Sequence, residues 1–123
     1  MKSILIVEDS ATTRAMIRGI IEDMGEDFSA LEADTGFEAL RMLPQEQLDL
    51  IITDINMPDV NGLELIHFVK SNPNYQHIPM IIVTTERSSA DKERGLALGA
   101  SAYVTKPFKA EELQEVIAKA LNP

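Results

Sequence analysis

Leu50-Ile51-Ile52-Thr53-Asp54-Ile55-Asn56-Met57-Pro58 sets an apolar run of strand length in front of a single carboxylate and a Pro-Asp turn. A short apolar run bounded by turn residues reads as a buried strand, and ligands of an open parallel sheet gather at the carboxyl ends of its strands. Asp54 is therefore the expected seat of chemistry. The plain alternative is that Asp54 merely starts the turn at Pro58, because aspartate favours turns. This stretch alone does not separate the two readings.

Working outward, four further runs read as strands. Residues 3–7 are apolar and stop at Glu8-Asp9-Ser10. Residues 28–33 alternate apolar with small or polar side chains, which predicts a shorter, more exposed strand suited to a sheet edge. Residues 79–85 end in Thr84-Thr85-Glu86-Arg87, and residues 101–105 run into Lys106-Pro107-Phe108.

Helical patterns lie between the strands. Residues 11–24 carry Ala15, Met16, Ile17, Ile20, Ile21 and Met24 at helical spacing, with Ser10 able to cap them and Gly25 to stop them. Asp34 or Thr35 caps a helix holding Phe37, Ala39, Leu40 and Leu43, and Pro44 ends it because its ring cannot continue a helix. Leu63, Leu65, Ile66 and Val69 form a third pattern that ends at Ser71-Asn72-Pro73-Asn74. The fourth, about residues 90–98 after Ser88 or Ser89, is polar, contains Gly95 and offers only a thin packing face. The last, about residues 110–121, places Leu113, Ile117 and Leu121 four apart. Five strands alternating with five helices, the strands nearly continuous in apolar residues, predict an α/β, doubly wound parallel sheet covered on both faces.

A chain of 123 residues fits one compact domain, and 45% hydrophobic with 25% charged residues is an ordinary globular balance. No apolar run approaches the ~20 residues of a membrane span, and no cleavable signal pattern opens the chain, so no membrane insertion and a cytoplasmic location are expected. The absence of cysteine rules out disulfides, thiolate metal sites and thiol nucleophiles. A net charge of −9 argues against direct nucleic-acid binding, which draws affinity from lysine and arginine. His67 and His77 belong to no motif and are read as packing or surface residues.

All carboxyl ends of a parallel sheet lie along one edge, so Glu8, Asp9, Asp54, Thr84 and Lys106 should converge there. Clustered carboxylates repel, and a hard divalent cation with oxygen ligands relieves them. Mg²⁺ is the intracellular candidate. Mg²⁺ is commonly completed by phosphate oxygens, and a lysine at the same edge suits a phosphoryl group. With no cysteine, and no histidine at a strand end, the available nucleophile is a carboxylate.

These residues resemble the receiver domain of two-component response regulators, most closely the single-domain chemotaxis type. The resemblance covers the whole chain and rests on Glu8-Asp9, on Asp54-x-Asn56-Met57-Pro58 with Gly62, on Thr84, and on Lys106-Pro107-Phe108. It implies a flavodoxin-like five-stranded sheet in the order 2-1-3-4-5 and a single domain over residues 1–123 with no output domain. It implies that Asp54 accepts a phosphoryl group from a sensor histidine kinase, and that Asp9, Asp54 and the Asn56 backbone carbonyl hold Mg²⁺, with Glu8 acting through water. Lys106 is implied to pair with a phosphoryl oxygen, Thr84 to donate its hydroxyl to it, and Pro107 to follow a cis peptide bond. Tyr103 matches the family's aromatic switch, although by itself it reads as an ordinary strand aromatic. The readout would be the surface of the fourth helix, fifth strand and last helix, and the partner a motor, a kinase complex or a phosphotransfer protein. Asn56 and Glu86 are implied to flank the phosphoryl group and tune its lifetime, with fast self-hydrolysis. Thr85 departs from the small apolar residue that many relatives carry there.

A monomeric, non-enzymatic signalling module is thus the leading expectation, inside chemotaxis or as a stand-alone or phosphorelay receiver. An aspartate-nucleophile phosphatase is the enzyme alternative, but Asn56 stands where such an enzyme usually has a second carboxylate. A nucleotide or flavin module lacks any glycine-rich phosphate cradle. A receiver that binds partners without phosphate is the remaining alternative.

Overall fold

Each central strand serves two cores, because successive side chains of a strand point to opposite faces. Leu5, Val7, Ile51, Met80 and Ile82 enter one cluster, and Ile4, Ile6, Leu50, Ile52, Ile81 and Val83 enter the other. That division explains why these runs are apolar at every position rather than at every second one. The computed structural model describes residues 1–85 and 89–122.

The chain runs β1 (Lys2–Val7), α1 (Ala11–Glu22), β2 (Phe28–Ala33), α2 (Gly36–Met42), β3 (Leu50–Thr53), α3 (Gly62–Ser71), β4 (Met80–Thr84), α4 (Ser89–Leu98), β5 (Ala102–Thr105) and α5 (Ala110–Leu121). The five strands are parallel and ordered β2-β1-β3-β4-β5, as the resemblance implies. Ile17, Ile20 and Ile21 of α1 and Leu113 and Ile117 of α5 cover one face of the sheet. Ala39 of α2 and Leu63, Leu65, Ile66 and Val69 of α3 cover the other.

Strand ends align through register. Val7 pairs with Ala33 on one side and Thr53 on the other, while Thr84 pairs with Thr105. The residues just past these positions therefore share one edge. The edge strand β2 is more exposed than the centre, with Ala30 and Ala33 its buried positions.

Several local expectations are corrected. Helix α1 ends at Glu22, and Met24 and Gly25 close it with turn bonds to Ile21 and Glu22 at 3.0 and 3.2 Å. Met16 is 48% exposed and Phe37 59%, so neither belongs to the core although both fall within apolar patterns. Met16 sits one residue before the buried Ile17, about 100° around the helix, where the period of 3.6 carries it out of the sheet-facing stripe. Phe37 lies in the first turn of the short α2, whose buried positions are Gly36 and Ala39. Thr35, not Asp34, is the N-cap of α2, its hydroxyl accepting from Glu38 N–H at 3.0 Å. In α4 the buried position is Gly95, which matches the thin packing face read from its sequence. Ser88, one of its two candidate caps, lies outside the described residues.

Candidate functional site

Asp54 is the first residue past β3, and Glu8 the first past β1. Both are buried, at 7% and 2% exposure, so the sheet edge holds two carboxylates largely removed from water. Buried charge requires a partner. Lys106, the first residue past β5, supplies it: its Nζ donates to Glu8 Oε1 at 2.5 Å and to Asp54 Oδ2 at 3.0 Å. The other oxygen of Asp54, Oδ1, accepts from the Asn56 backbone N–H at 3.1 Å.

Each member is set by its element. The Asp54 N–H donates to the Val7 carbonyl at 3.1 Å, which extends the β1–β3 ladder one residue. Lys106 is fixed by its own N–H on the Thr84 carbonyl at 2.8 Å, so fully buried Thr84 adjoins it, and the Lys106–Pro107 peptide is cis. Glu8 accepts the Ser10 N–H on Oε2 at 3.0 Å. Gly62 starts α3 directly against the Asp54 backbone: a Cβ there would collide with the Asp54 carbonyl oxygen and lie 2.9 Å from Ile55 Cα. The loop between β3 and α3 is also clamped at its tip, where the Asp59 carboxylate accepts the N–H groups of Gly36 and Phe37 at 3.2 and 2.9 Å.

Electrostatics follow burial. Desolvation pushes the Glu8 carboxyl above its usual 4.5, outweighing the hydrogen bonds from Lys106 and the Ser10 N–H, with the Asp9 carboxyl beside it pushing the same way. Desolvation works to lower the Lys106 ammonium, but Glu8 and Asp54 together hold it above its usual 10.5. Lysine thus stays cationic, and Glu8 is the member of the pair driven toward neutrality.

The expected residues meet in part. Glu8, Asp54, Lys106, Thr84 and Asn56 come together, and Asp9 is exposed next to Glu8. Tyr103 is half-buried on β5 opposite Ile82, packed against the cluster that contains α3. Glu86 lies outside the described residues. Residues that the sequence reading left without a role are Arg14, whose Nη1 donates to the Glu8 carbonyl at 2.7 Å, and Thr53, whose hydroxyl donates to the Asp54 carbonyl at 2.9 Å. Only the position of Arg14 one turn into α1, on the site side, could have signalled it.

Three carboxylates against one ammonium leave this edge short of positive charge, and the donors are all hard oxygens, which in kind suits Mg²⁺. Lys106 occupies the space between the two inner carboxylates, and among the described residues no three acidic or imidazole groups stand close enough to ligate one ion.

Residues 4–118 match the response regulator receiver domain. The chain belongs to that family. It is 39% identical over 120 residues to a chemotaxis protein CheY homolog of Campylobacter jejuni, a match that covers 97% of this chain and 92% of that relative. Its fold superimposes on the chemotaxis protein CheY4 of Vibrio cholerae with a TM-score of 0.90 at 34% identity, over 98% of this chain and 99% of that one. A receiver domain of a signal transduction histidine kinase from Syntrophus aciditrophicus superimposes with a TM-score of 0.89 at 35% identity, over 98% and 90% of the two chains. As a CheY-like receiver domain the protein is a component of two-component signal transduction, not a conventional enzyme. No helix among the described residues is long and apolar enough to cross a membrane.

Proposed function

We propose that Asp54 is the phosphoacceptor of a chemotaxis-type response regulator, charged by a sensor histidine kinase and read by a downstream protein. The observation that carries this reading is the buried Asp54 carboxylate with one oxygen on Lys106 Nζ, at the carboxyl edge of the sheet. An Asp54 oxygen attacks phosphorus, forming the P–O bond. The P–N bond to the kinase histidine breaks, its electron pair returns to the imidazole nitrogen, and that nitrogen takes up a proton.

Asp9, Asp54 and the Asn56 carbonyl, with Glu8 through water, would hold Mg²⁺, which supplies the positive charge that the phosphoryl oxygens need. Lys106 exchanges Asp54 Oδ2 for a phosphoryl oxygen. Thr84 offers its hydroxyl to the same group, and its movement shifts Tyr103, which biases the surface of α4, β5 and α5. Self-dephosphorylation, in which water attacks phosphorus, the Asp54 O–P bond breaks and inorganic phosphate leaves the regenerated carboxylate, returns the switch to rest. Helix α4 suits a switching role because so little of it is buried.

The test is a titration with Mg²⁺ and beryllofluoride or acetyl phosphate, followed through amide shifts near Asp54, Thr84 and Tyr103. Mg²⁺-dependent shifts that vanish in Asp54→Asn are expected. An unchanged response in Asp54→Asn would overturn the reading. The likeness to a histidine-kinase receiver favours a second setting, a phosphorelay in which the phosphoryl group passes onward to a phosphotransfer histidine. Transfer assays with each class of partner separate the two.

A further inference from the structure

Glu8 is the first residue past β1, and both of its backbone groups are held. Its N–H donates to the Ala33 carbonyl of β2 at 3.1 Å, and its carbonyl accepts from Arg14 Nη1 at 2.7 Å. The same guanidinium donates through Nε to Glu32 Oε1 at 3.2 Å, while Arg18 Nε takes Glu32 Oε2 at 2.7 Å. The Arg14 side chain is 18% exposed, so these bonds are partly sheltered from solvent. A planar, always-charged fork presents Nε and Nη1 as separate donors in a fixed geometry that spans a carboxylate and a carbonyl, whereas a lysine offers its donors from a single nitrogen on a flexible stem. Arg14 thereby forms a strut from the edge strand β2, over the first turn of α1, to the turn that carries Glu8 and Asp9.

We propose that Arg14, braced by Glu32, is a positioning residue that holds the 8–10 turn in the geometry from which Asp9 and Glu8 present their carboxylates to Mg²⁺. This inference rests on the Mg²⁺ reading of the site given above. Its physical basis is that partners outside the coordination sphere orient the ligands, and losing one typically weakens metal binding about 10- to 100-fold. A through-space role would have the opposite sign, since removing a cation beside an acidic site strengthens the binding of another cation. Glu32 already meets the Arg14 charge, which leaves the directed bond to the Glu8 carbonyl as its contribution.

The experiment titrates Mg²⁺ into the full chain and follows the amide shifts of Ser10 and Asn56, with thermal unfolding recorded alongside. Arg14→Met is expected to weaken Mg²⁺ binding about tenfold, and Arg14→Lys, which keeps the charge but not the rigid fork, to recover part of it. Arg18→Met removes the same charge from the same carboxylate without touching Glu8, and is expected to stay within about twofold of wild type. Tighter or unchanged binding in Arg14→Met, or an equal loss in Arg18→Met, overturns the inference while leaving the phosphoacceptor reading intact. Wild-type protein that shows no Mg²⁺ response overturns that reading and the inference with it. Should Arg14→Met fail to fold, Arg14→Lys decides: severalfold weaker binding supports the strut, and wild-type affinity overturns it.

Discussion

Lys106 Nζ stands 2.5 Å from Glu8 Oε1, a pair separated by 98 residues of sequence and nearly closed off from water. Breaking a buried pair from one side leaves an uncompensated charge, at a cost of about 3–5 kcal/mol. Lys106→Met is therefore expected to lose about 3 kcal/mol in denaturant unfolding at neutral pH. Adding Glu8→Gln should restore a large share of it, and purely additive losses would show that the two residues are not coupled.

Gly62 and Gly95 predict contrasting outcomes for the same substitution. A Cβ on Gly62 meets the Asp54 carbonyl, a backbone atom that cannot turn aside, whereas on Gly95 it meets the terminal Ile82 Cδ1. Gly62→Ala should lose about 2–3 kcal/mol by overpacking and slow the phosphorylation proposed for Asp54. Gly95→Ala, where the methyl can rotate and helix propensity adds about 1 kcal/mol, should change stability by less than about 1 kcal/mol. Unfolding midpoints and acetyl phosphate kinetics on both variants check the contrast.

The Asp59 carboxyl lies below its usual 3.8, held there first by the Val60 N–H and then by those of Phe37 and Gly36. A carboxyl with a depressed folded-state pKa contributes stability above its unfolded value and loses it as pH falls through the folded one. Asp59→Asn should accordingly lower the melting temperature at neutral pH, and the gap to wild type should close as pH falls below 3.8. A gap independent of pH would show that the α2 clamp does not depend on charge.

Lys70 Nζ donates to the carbonyls of Gln76 and Ile78 at 3.1 and 2.6 Å, which ties the end of α3 to the turn before β4. Lys70→Met keeps the stem but drops both bonds. A loss of about 1–2 kcal/mol is expected, with faster amide exchange concentrated over residues 72–79. Unchanged exchange there would mean that water replaces the ammonium at no cost.

The strands and helices were legible in the residues themselves, because the buried positions of β1, β3 and β4 are apolar up to the threonines that end β3 and β4, and the helices repeat near 3.6. Element order followed, and so did the carboxylates, hydroxyl and lysine at the strand ends. Exposure of Met16 and Phe37 was not legible, since periodicity places a side chain on a helix but does not say how wide a stripe the sheet covers. Neither were the strut from Arg14 to the Glu8 carbonyl and the clamp from Asp59 onto α2, which join atoms whose nearness no spacing encodes.

For this protein the sequence by itself determined which groups are delivered to the carboxyl edge, because a parallel sheet sends every strand end to the same side. Tertiary structure decided how they divide their charge. Burial drives Glu8 toward neutrality while Lys106 lies between it and Asp54, leaving Asp9 at the surface, and burial and distance exist only once the strands are side by side.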